Sequence, residues 1–176
     1  TADGPLEYLE QPCATVAELA QVRGRVDLPV AADESIRKAA DPLAVVRAGA
    51  AAIAVLKVAP LGGVAALLDI AAAIDIPVVI SSAMDSAVGI AWVLAAAAAL
   101  PRLDHACGLG TGSLFVEDVA ELQMVDGHLP VTAITPDPAR LTELAAAPGR
   151  RDWWVNRVRA CYPLLDQSSS GQTTSM

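Results

Sequence analysis

The chain repeats a short apolar run, a polar residue and a helical pattern about every two dozen residues, the length that one strand, one helix and two short loops require. This alternation predicts strands that pair in parallel through right-handed crossovers. The polar residues should therefore end neighbouring strands at the same edge of the sheet. They are Glu10, Asp33, Lys57, Ser81 and His105.

The repeat favours a barrel over an open doubly wound sheet. A barrel assembles its active site at the carboxyl ends of several strands, and no Gly-x-Gly-x-x-Gly motif follows the first strand. The predicted fold is α/β, a partial TIM-type (β/α) barrel with about five of the eight strands of a closed barrel. The predicted strands are Leu6–Glu10, Val26–Asp33, Ala51–Lys57, Ile76–Ser82 and a weaker Leu103–Cys107.

Capping residues set the predicted helix boundaries. Thr15 and Asp41-Pro42 are typical helix starts, and Gly49 is a typical helix end. Residues 1–165 are predicted to form the barrel part, and the Ser-, Thr- and Gln-rich residues 166–176 a disordered tail. Helices are predicted at Val16–Val22, from Asp41 to Gly49, at Val64–Ala73, from Ser82 or Asp85 to Leu100, from Asp137 to Ala147 and at Asp152–Cys161.

Charge and composition exclude several classes of protein. The formal charge of -8 argues against nucleic acid or an anionic membrane as the main partner. The longest apolar run, Ala87 to Leu100, is too short to span a bilayer. Three widely spaced cysteines without a Cys-x-x-Cys pair are typical of reduced thiols, which predicts a cytoplasmic protein.

Glu10 and Asp33 form the candidate metal site. They end neighbouring parallel strands, so their carboxylates should lie side by side and repel each other unless a cation joins them. A hard divalent cation with oxygen ligands, Mg²⁺ above all, would remove this repulsion. The alternative is that each carboxylate caps the helix that follows it.

Lys57 is the candidate catalytic residue, because it follows an apolar strand and ends at the same edge of the sheet. It could act as a general base, or as a cation that stabilises a developing oxyanion beside the metal. The alternative is a structural ion pair with Asp33.

A candidate carboxylate pocket consists of Gly62, Gly63, Ser81 and Ser82, each placed between a strand end and a helix start. Backbone N–H groups and a serine hydroxyl at such places suit an anion. Ordinary helix capping is the alternative for these four residues.

Four segments, taken in order, resemble successive strand ends of the enolase superfamily. Within that superfamily they most resemble the o-succinylbenzoate synthases of actinobacteria, as does the segment from Ala106 to Thr111. The resemblance covers Leu6 to Gly112, which corresponds to about the last five βα units of the barrel. The four segments are Leu9-Glu10-Gln11-Pro12, Ala32-Asp33-Glu34-Ser35, Leu56 to Gly63, and Ser81 to Ser86.

The resemblance implies a role for each candidate residue. Glu10 and Asp33 would be two of three Mg²⁺ ligands, and Lys57 would stabilise the enediolate that forms when a proton α to a carboxylate is removed. The two glycines and two serines would line the substrate pocket. The implied reaction is a hydro-lyase reaction, the dehydration of a small-molecule cyclohexadiene carboxylate in menaquinone biosynthesis.

Several family features are absent from the sequence. The family's Lys-x-Lys, which carries the base, has no counterpart, since Lys38 and Lys57 are the only lysines. The third acidic ligand and the N-terminal capping domain are also missing. The chain alone is therefore expected to be inactive, and to associate with itself or with a missing N-terminal half through its open edges and uncovered inner face.

Two other functions remain open from the sequence. A related N-acylamino-acid racemase or dipeptide epimerase fragment would use the same scaffold with a different base arrangement. A non-catalytic remnant that persists by association is the third alternative.

Overall fold

A computed structural model of the chain describes residues 5–37 and 40–164. Its sheet has four parallel strands in sequence order, β1 to β4. In its register, Leu9 lies opposite Val30 and Ala31 opposite Ile53, so the predicted parallel α/β arrangement is confirmed. The strands are β1 (Leu9–Glu10), β2 (Val30–Ala32), β3 (Ile53–Leu56) and β4 (Val78–Ile80).

The predicted fifth strand is wrong. Only Gly108 continues the sheet, as a single parallel bridge to Ser81, with its N–H 2.9 Å from the Ile80 carbonyl oxygen. The segment before it contains few residues that favour strands, and Asp104 there forms an ion pair with Arg102. His105 consequently does not end a strand.

Eight α-helices and one 3-10 helix, Gly110–Leu114, are described within residues 5–37 and 40–164. The Thr15 side chain caps α1 in a capping box with Glu18, as its sequence predicted. The remaining predicted helices are present with shifted ends, and the short α2 and α4 were not predicted. The helices are α1 (Val16–Arg23), α2 (Glu34–Arg37), α3 (Ala44–Arg47), α4 (Val58–Leu61), α5 (Val64–Ala72), α6 (Ala87–Ala99), α7 (Pro138–Glu143) and α8 (Pro148–Cys161).

The start of α6 differs from both predicted caps. Asp85 accepts a hydrogen bond from the Ala83 N–H at 2.8 Å and so closes a turn ahead of the helix. The first N–H of the helix, that of Ala87, donates instead to Asp118 Oδ2 at 2.7 Å. Because this partner lies far along the chain, local sequence gave no sign of it.

Apolar side chains pack on both faces of the sheet. The larger cluster joins one face to the helices, with Leu19, Val45, Leu67 and Ile90 among its buried members. On the inner face, four strand residues are buried, contrary to the expectation of an uncovered face. Tyr8 packs against these four residues, and the His105 ring contacts Tyr8 edge-on at 5.5 Å. The four are Ala31, Ile53, Val55 and Val79.

The chain divides into two compact units, Thr1–Asp137 and Pro138–Met176. The sheet and α1 to α6 belong to the first unit, and α7 and α8 to the second. The predicted disordered tail, 166–176, and Lys38 lie outside the described residues, and the proposed domain boundary stays a prediction. None of the helices in the described part of the chain is long and apolar enough to cross a membrane.

Candidate functional site

The carboxyl ends of the four parallel strands bring Glu10, Asp33, Lys57 and Ser81 to one edge of the sheet. Each residue ends or directly follows its strand. Consecutive strands are hydrogen-bonded neighbours, so Asp33 lies between Glu10 and Lys57. The structure thus brings together four of the five residues that the spacing of the repeat predicted, and the exception is His105.

Asp33 is the centre of this group. The residue is only 3% exposed, and both of its carboxylate oxygens accept charged hydrogen bonds. Lys57 Nζ donates to Oδ2 at 2.7 Å, and Arg37 Nε donates to Oδ1 at 2.8 Å. A buried carboxylate requires such partners, because an unpaired buried charge is costly. The ion pair considered as the alternative for Lys57 is therefore present, and the catalytic role of Lys57 stays a prediction.

Arg37 was missed in the sequence analysis. Asp33 directly precedes α2, and its carbonyl oxygen accepts the N–H groups of Ile36 and Arg37. The side chains of Asp33 and Arg37 therefore lie one helical turn apart. That geometry lets the guanidinium reach back to Asp33 and also bond Glu34. The spacing of four residues between an acid and an arginine was the available signal.

Glu10 is the unsatisfied member of the group. Its side chain is exposed over part of its surface and partly buried over the rest, and it makes no hydrogen bond or ion pair within the described residues. Partial burial and the nearby negative charges of Asp33 and Glu34 raise its pKa above the ordinary value, and Lys57 opposes that rise. Three carboxylates here face the two cations Lys57 and Arg37, so the cluster has a net negative charge.

Gln11 holds the ends of β1 and β2 together. Its side-chain oxygen accepts the N–H groups of Asp33 (2.9 Å) and Ser35 (3.2 Å), while its nitrogen donates to Ser35 Oγ (2.8 Å) and the Cys13 carbonyl (2.9 Å). Its backbone φ of 39° lies in the left-handed region, which a non-glycine residue adopts at a cost. Gln11 thereby fixes the backbone that carries Asp33.

The carboxylates of Glu10 and Asp33 are chemically suited to Mg²⁺, since both offer hard oxygen donors. Their number is small: within residues 5–37 and 40–164, no three His, Cys, Asp or Glu side chains lie close enough to hold a metal ion. The Mg²⁺ site at Glu10 and Asp33 therefore stays a prediction.

A cleft of about 370 Å³ opens beside Lys57. Ser82 on its wall is buried, and its hydroxyl contacts Thr111 Oγ1 at 2.7 Å and the Gly108 carbonyl oxygen at 3.1 Å. The Ser81 hydroxyl makes only long contacts of 3.4 Å and is therefore available to a ligand. The cleft is lined by Arg37, Lys57, Ser81, Ser82, Ala83, Met84 and Thr111.

Gly62 and Gly63 do not line this cleft. Both adopt left-handed backbone conformations, with φ of 97° and 121°, and form the junction between α4 and α5. Their N–H groups donate to the carbonyl oxygens of Ala59 and Val58. An anion at this junction would have to use the N–H groups of the first turn of α5, and the pocket role of the glycines stays a prediction.

Replacing Glu10 by Gln should stabilise the chain slightly at neutral pH. The raised folded-state pKa of Glu10 means that stability is greatest below its unfolded-state pKa and falls as pH rises through the folded-state pKa. Since the side chain is exposed, we expect a melting temperature about 1–3 °C above that of the parent at pH 7. At pH 3.5 the two melting curves should coincide.

Calorimetry at both pH values would measure this difference. Asp27→Asn is a matched control, because Asp27 is an exposed carboxylate that precedes β2, at the amino-terminal end of the strands. Equal melting temperatures for Glu10→Gln and the parent at pH 7 would show that folding does not raise the pKa of Glu10 as inferred.

Two curated proteins from Mycobacterium are similar in sequence to this chain over nearly its whole length. It is 74% identical over 170 residues to the o-succinylbenzoate synthase of Mycobacterium ulcerans, covering 96% of the chain and 52% of that protein. It is 76% identical over 166 residues to the o-succinylbenzoate synthase of Mycobacterium tuberculosis strain H37Rv, covering 94% and 51%. The chain therefore spans about half the length of the curated relatives that it matches.

Solved structures agree with the barrel interpretation. The muconate lactonizing enzyme from Pseudomonas putida superposes with a TM-score of 0.72 at 26% identity, over 82% of this chain and 44% of that enzyme. Residues 2–137 match the family described as enolase C-terminal domain-like. The predicted partial barrel of the enolase superfamily is thereby confirmed, and this chain belongs to the enolase C-terminal domain-like family.

Proposed function

We propose that this chain supplies one part of the active site of an o-succinylbenzoate synthase, a hydro-lyase of menaquinone biosynthesis. The main support is the ion pair of Lys57 with Asp33 at the carboxyl ends of β2 and β3. Glu10 lies on one side of this pair, and the cleft that contains Ser81 lies on the other. The names of the Mycobacterium relatives, at 74% and 76% identity, favour this reaction over racemisation or epimerisation.

Lys57 would provide positive charge where the substrate becomes more negative. Its ammonium carries three N–H groups, and the contact with Asp33 uses one of them. The others can reach into the cleft, where a carboxylate gains negative charge when its α-proton is removed. Asp33 would hold the ammonium in this orientation before substrate arrives.

Glu10 and Asp33 would hold Mg²⁺, which supplies Lewis-acid stabilisation of the substrate carboxylate when bound. The net negative charge of the surrounding cluster and the raised pKa of Glu10 both favour a cation here. Ser81 would donate a hydrogen bond to a carboxylate of the substrate. Gly62 and Gly63 lie outside the cleft and would contribute to the substrate pocket only through the turn that they form between α4 and α5.

The reaction would require a second polypeptide segment. The chain spans about half of its curated relatives, and the sequence lacks the Lys-x-Lys and the third acidic ligand that the resemblance implies. We propose that this segment pairs with the open strand edges at β1 and Gly108. A cytoplasmic location is part of the proposal, supported by three free cysteines.

A complementation assay would test this function. The chain would be assayed for o-succinylbenzoate formation with Mg²⁺, alone and after mixing with the part of the Mycobacterium ulcerans relative that it does not span. We expect no detectable turnover from either piece alone and measurable turnover from the mixture. Activity from that other part alone would be the main artefact, so it is assayed separately.

The same mixture would be tested for racemisation of an N-acylamino acid. Racemisation without dehydration would replace the proposed reaction with the related racemase reaction. Absence of both activities from a complex that sedimentation shows to have formed would favour the non-catalytic remnant.

A further inference from the structure

We infer that Arg37 is a built-in counter-ion of the acidic cluster and that it weakens the binding of a divalent cation by Glu10 and Asp33. The inference rests on the proposed function in one respect, namely that these two carboxylates are the cation ligands. It adds a residue, Arg37, that sets the affinity of the site.

The contacts of Arg37 carry the inference. Its Nε donates to Asp33 Oδ1 at 2.8 Å and its Nη2 bonds Glu34 Oε1. Lys57 already occupies Asp33 Oδ2 at 2.7 Å, so each oxygen of Asp33 has a charged donor. A divalent cation approaching Asp33 must share an oxygen with a positive group, whereas Glu10 has no such partner to displace.

The charges of the cluster give the direction of the effect. Glu10, Asp33 and Glu34 contribute three negative charges, and Arg37 and Lys57 contribute two positive ones. A divalent cation would leave this group with a net positive charge. Without the arginine the same cation would leave it neutral, so the guanidinium opposes binding.

Glu34 gives the Arg37 guanidinium a second carboxylate partner. The guanidinium already bonds Glu34 on the same short helix, α2, and could keep that bond while it releases Asp33. Its side chain is 22% exposed, compared with 5% for Asp33, and it lines the open cleft. The arginine can therefore move away from Asp33 without disturbing the strand ends.

The test is direct Mn²⁺ binding to the purified chain, followed by the loss of the free-ion signal in electron paramagnetic resonance. Mn²⁺ accepts the same oxygen ligands as Mg²⁺ and is visible to this method. Arg37→Gln should bind Mn²⁺ about tenfold more tightly than the parent, since one positive charge near a divalent ion is removed. Arg37→Lys keeps the charge and should stay within about threefold of the parent.

Two controls locate the effect. Arg47→Gln removes an exposed arginine that pairs with Asp41, and its affinity should equal that of the parent. Adding Glu10→Gln to Arg37→Gln should abolish the gain in affinity. Circular dichroism would establish that each variant is folded.

Weaker binding by both Arg37→Gln and Arg37→Lys would overturn the inference, because Arg37 would then orient Asp33 as a ligand. Unchanged or undetectable binding in Arg37→Gln would overturn it too, as would a gain that survives Glu10→Gln.

The complementation assay is independent of these outcomes. Turnover of the mixture without tighter binding in Arg37→Gln would reject only the inference, and tighter binding without turnover would reject only the synthase assignment.

Discussion

Replacing Lys57 by Met is expected to lower the turnover number of the complemented enzyme about 10²–10³-fold, the usual loss when one group that stabilises a developing oxyanion is removed. Methionine has a similar length and no charge, so the cleft should keep its shape. The Michaelis constant should change less than about threefold, because the lysine charge matters most when the substrate carboxylate gains negative charge. Initial rates over a range of substrate concentrations would separate the two quantities.

Lys38→Met is the matched control, since it removes the only other lysine of the chain. It should leave the turnover number unchanged. Lys57→Arg tests geometry, because the charge is kept while the planar guanidinium fits Asp33 differently. Full turnover by Lys57→Met would limit Lys57 to the structural ion pair with Asp33.

The sequence repeat predicted the strands and the strand-end residues well, because both follow from local rules. A buried parallel strand must be apolar, and the first polar residue after it comes to the sheet edge whatever the distant contacts are. Glu10, Asp33, Lys57 and Ser81 were found in this way. Their chemical roles came from the resemblance, since spacing alone allowed capping or an ion pair equally well.

Other features could not be predicted because they depend on contacts between distant segments. Asp118 caps α6 from far along the chain, and the Gln11 side chain satisfies backbone groups of the next strand end. The fifth strand is absent because Leu103 to Cys107 contains few residues that favour strands, and only Gly108 pairs with β4's end at Ser81. Arg37 could have been found, since its spacing from Asp33 is a local signal.

Asp33→Ala is expected to destabilise the chain by about 3–5 kcal/mol, the usual cost of removing one partner from a buried ion pair. The Lys57 side chain is only 14% exposed, so its charge would lose its partner while still largely buried. For a chain of this size such a loss lowers the melting temperature by about 10 °C. Denaturant unfolding of the purified chain would measure the free energy, with Asp104→Ala as control because Arg102 and Asp104 form an exposed pair worth less than about 1 kcal/mol.

A double-mutant cycle would show how much of this cost belongs to the pair. Lys57→Met together with Asp33→Ala leaves no buried charge from either residue, so their joint cost should be about 1–3 kcal/mol less than the sum of the single costs. Arg37 keeps its bond to Glu34 in every variant and should contribute little to the coupling. Additive costs would mean that Arg37 alone neutralises Asp33. The Lys57 ammonium would then be free to serve the substrate without loosening the strand ends.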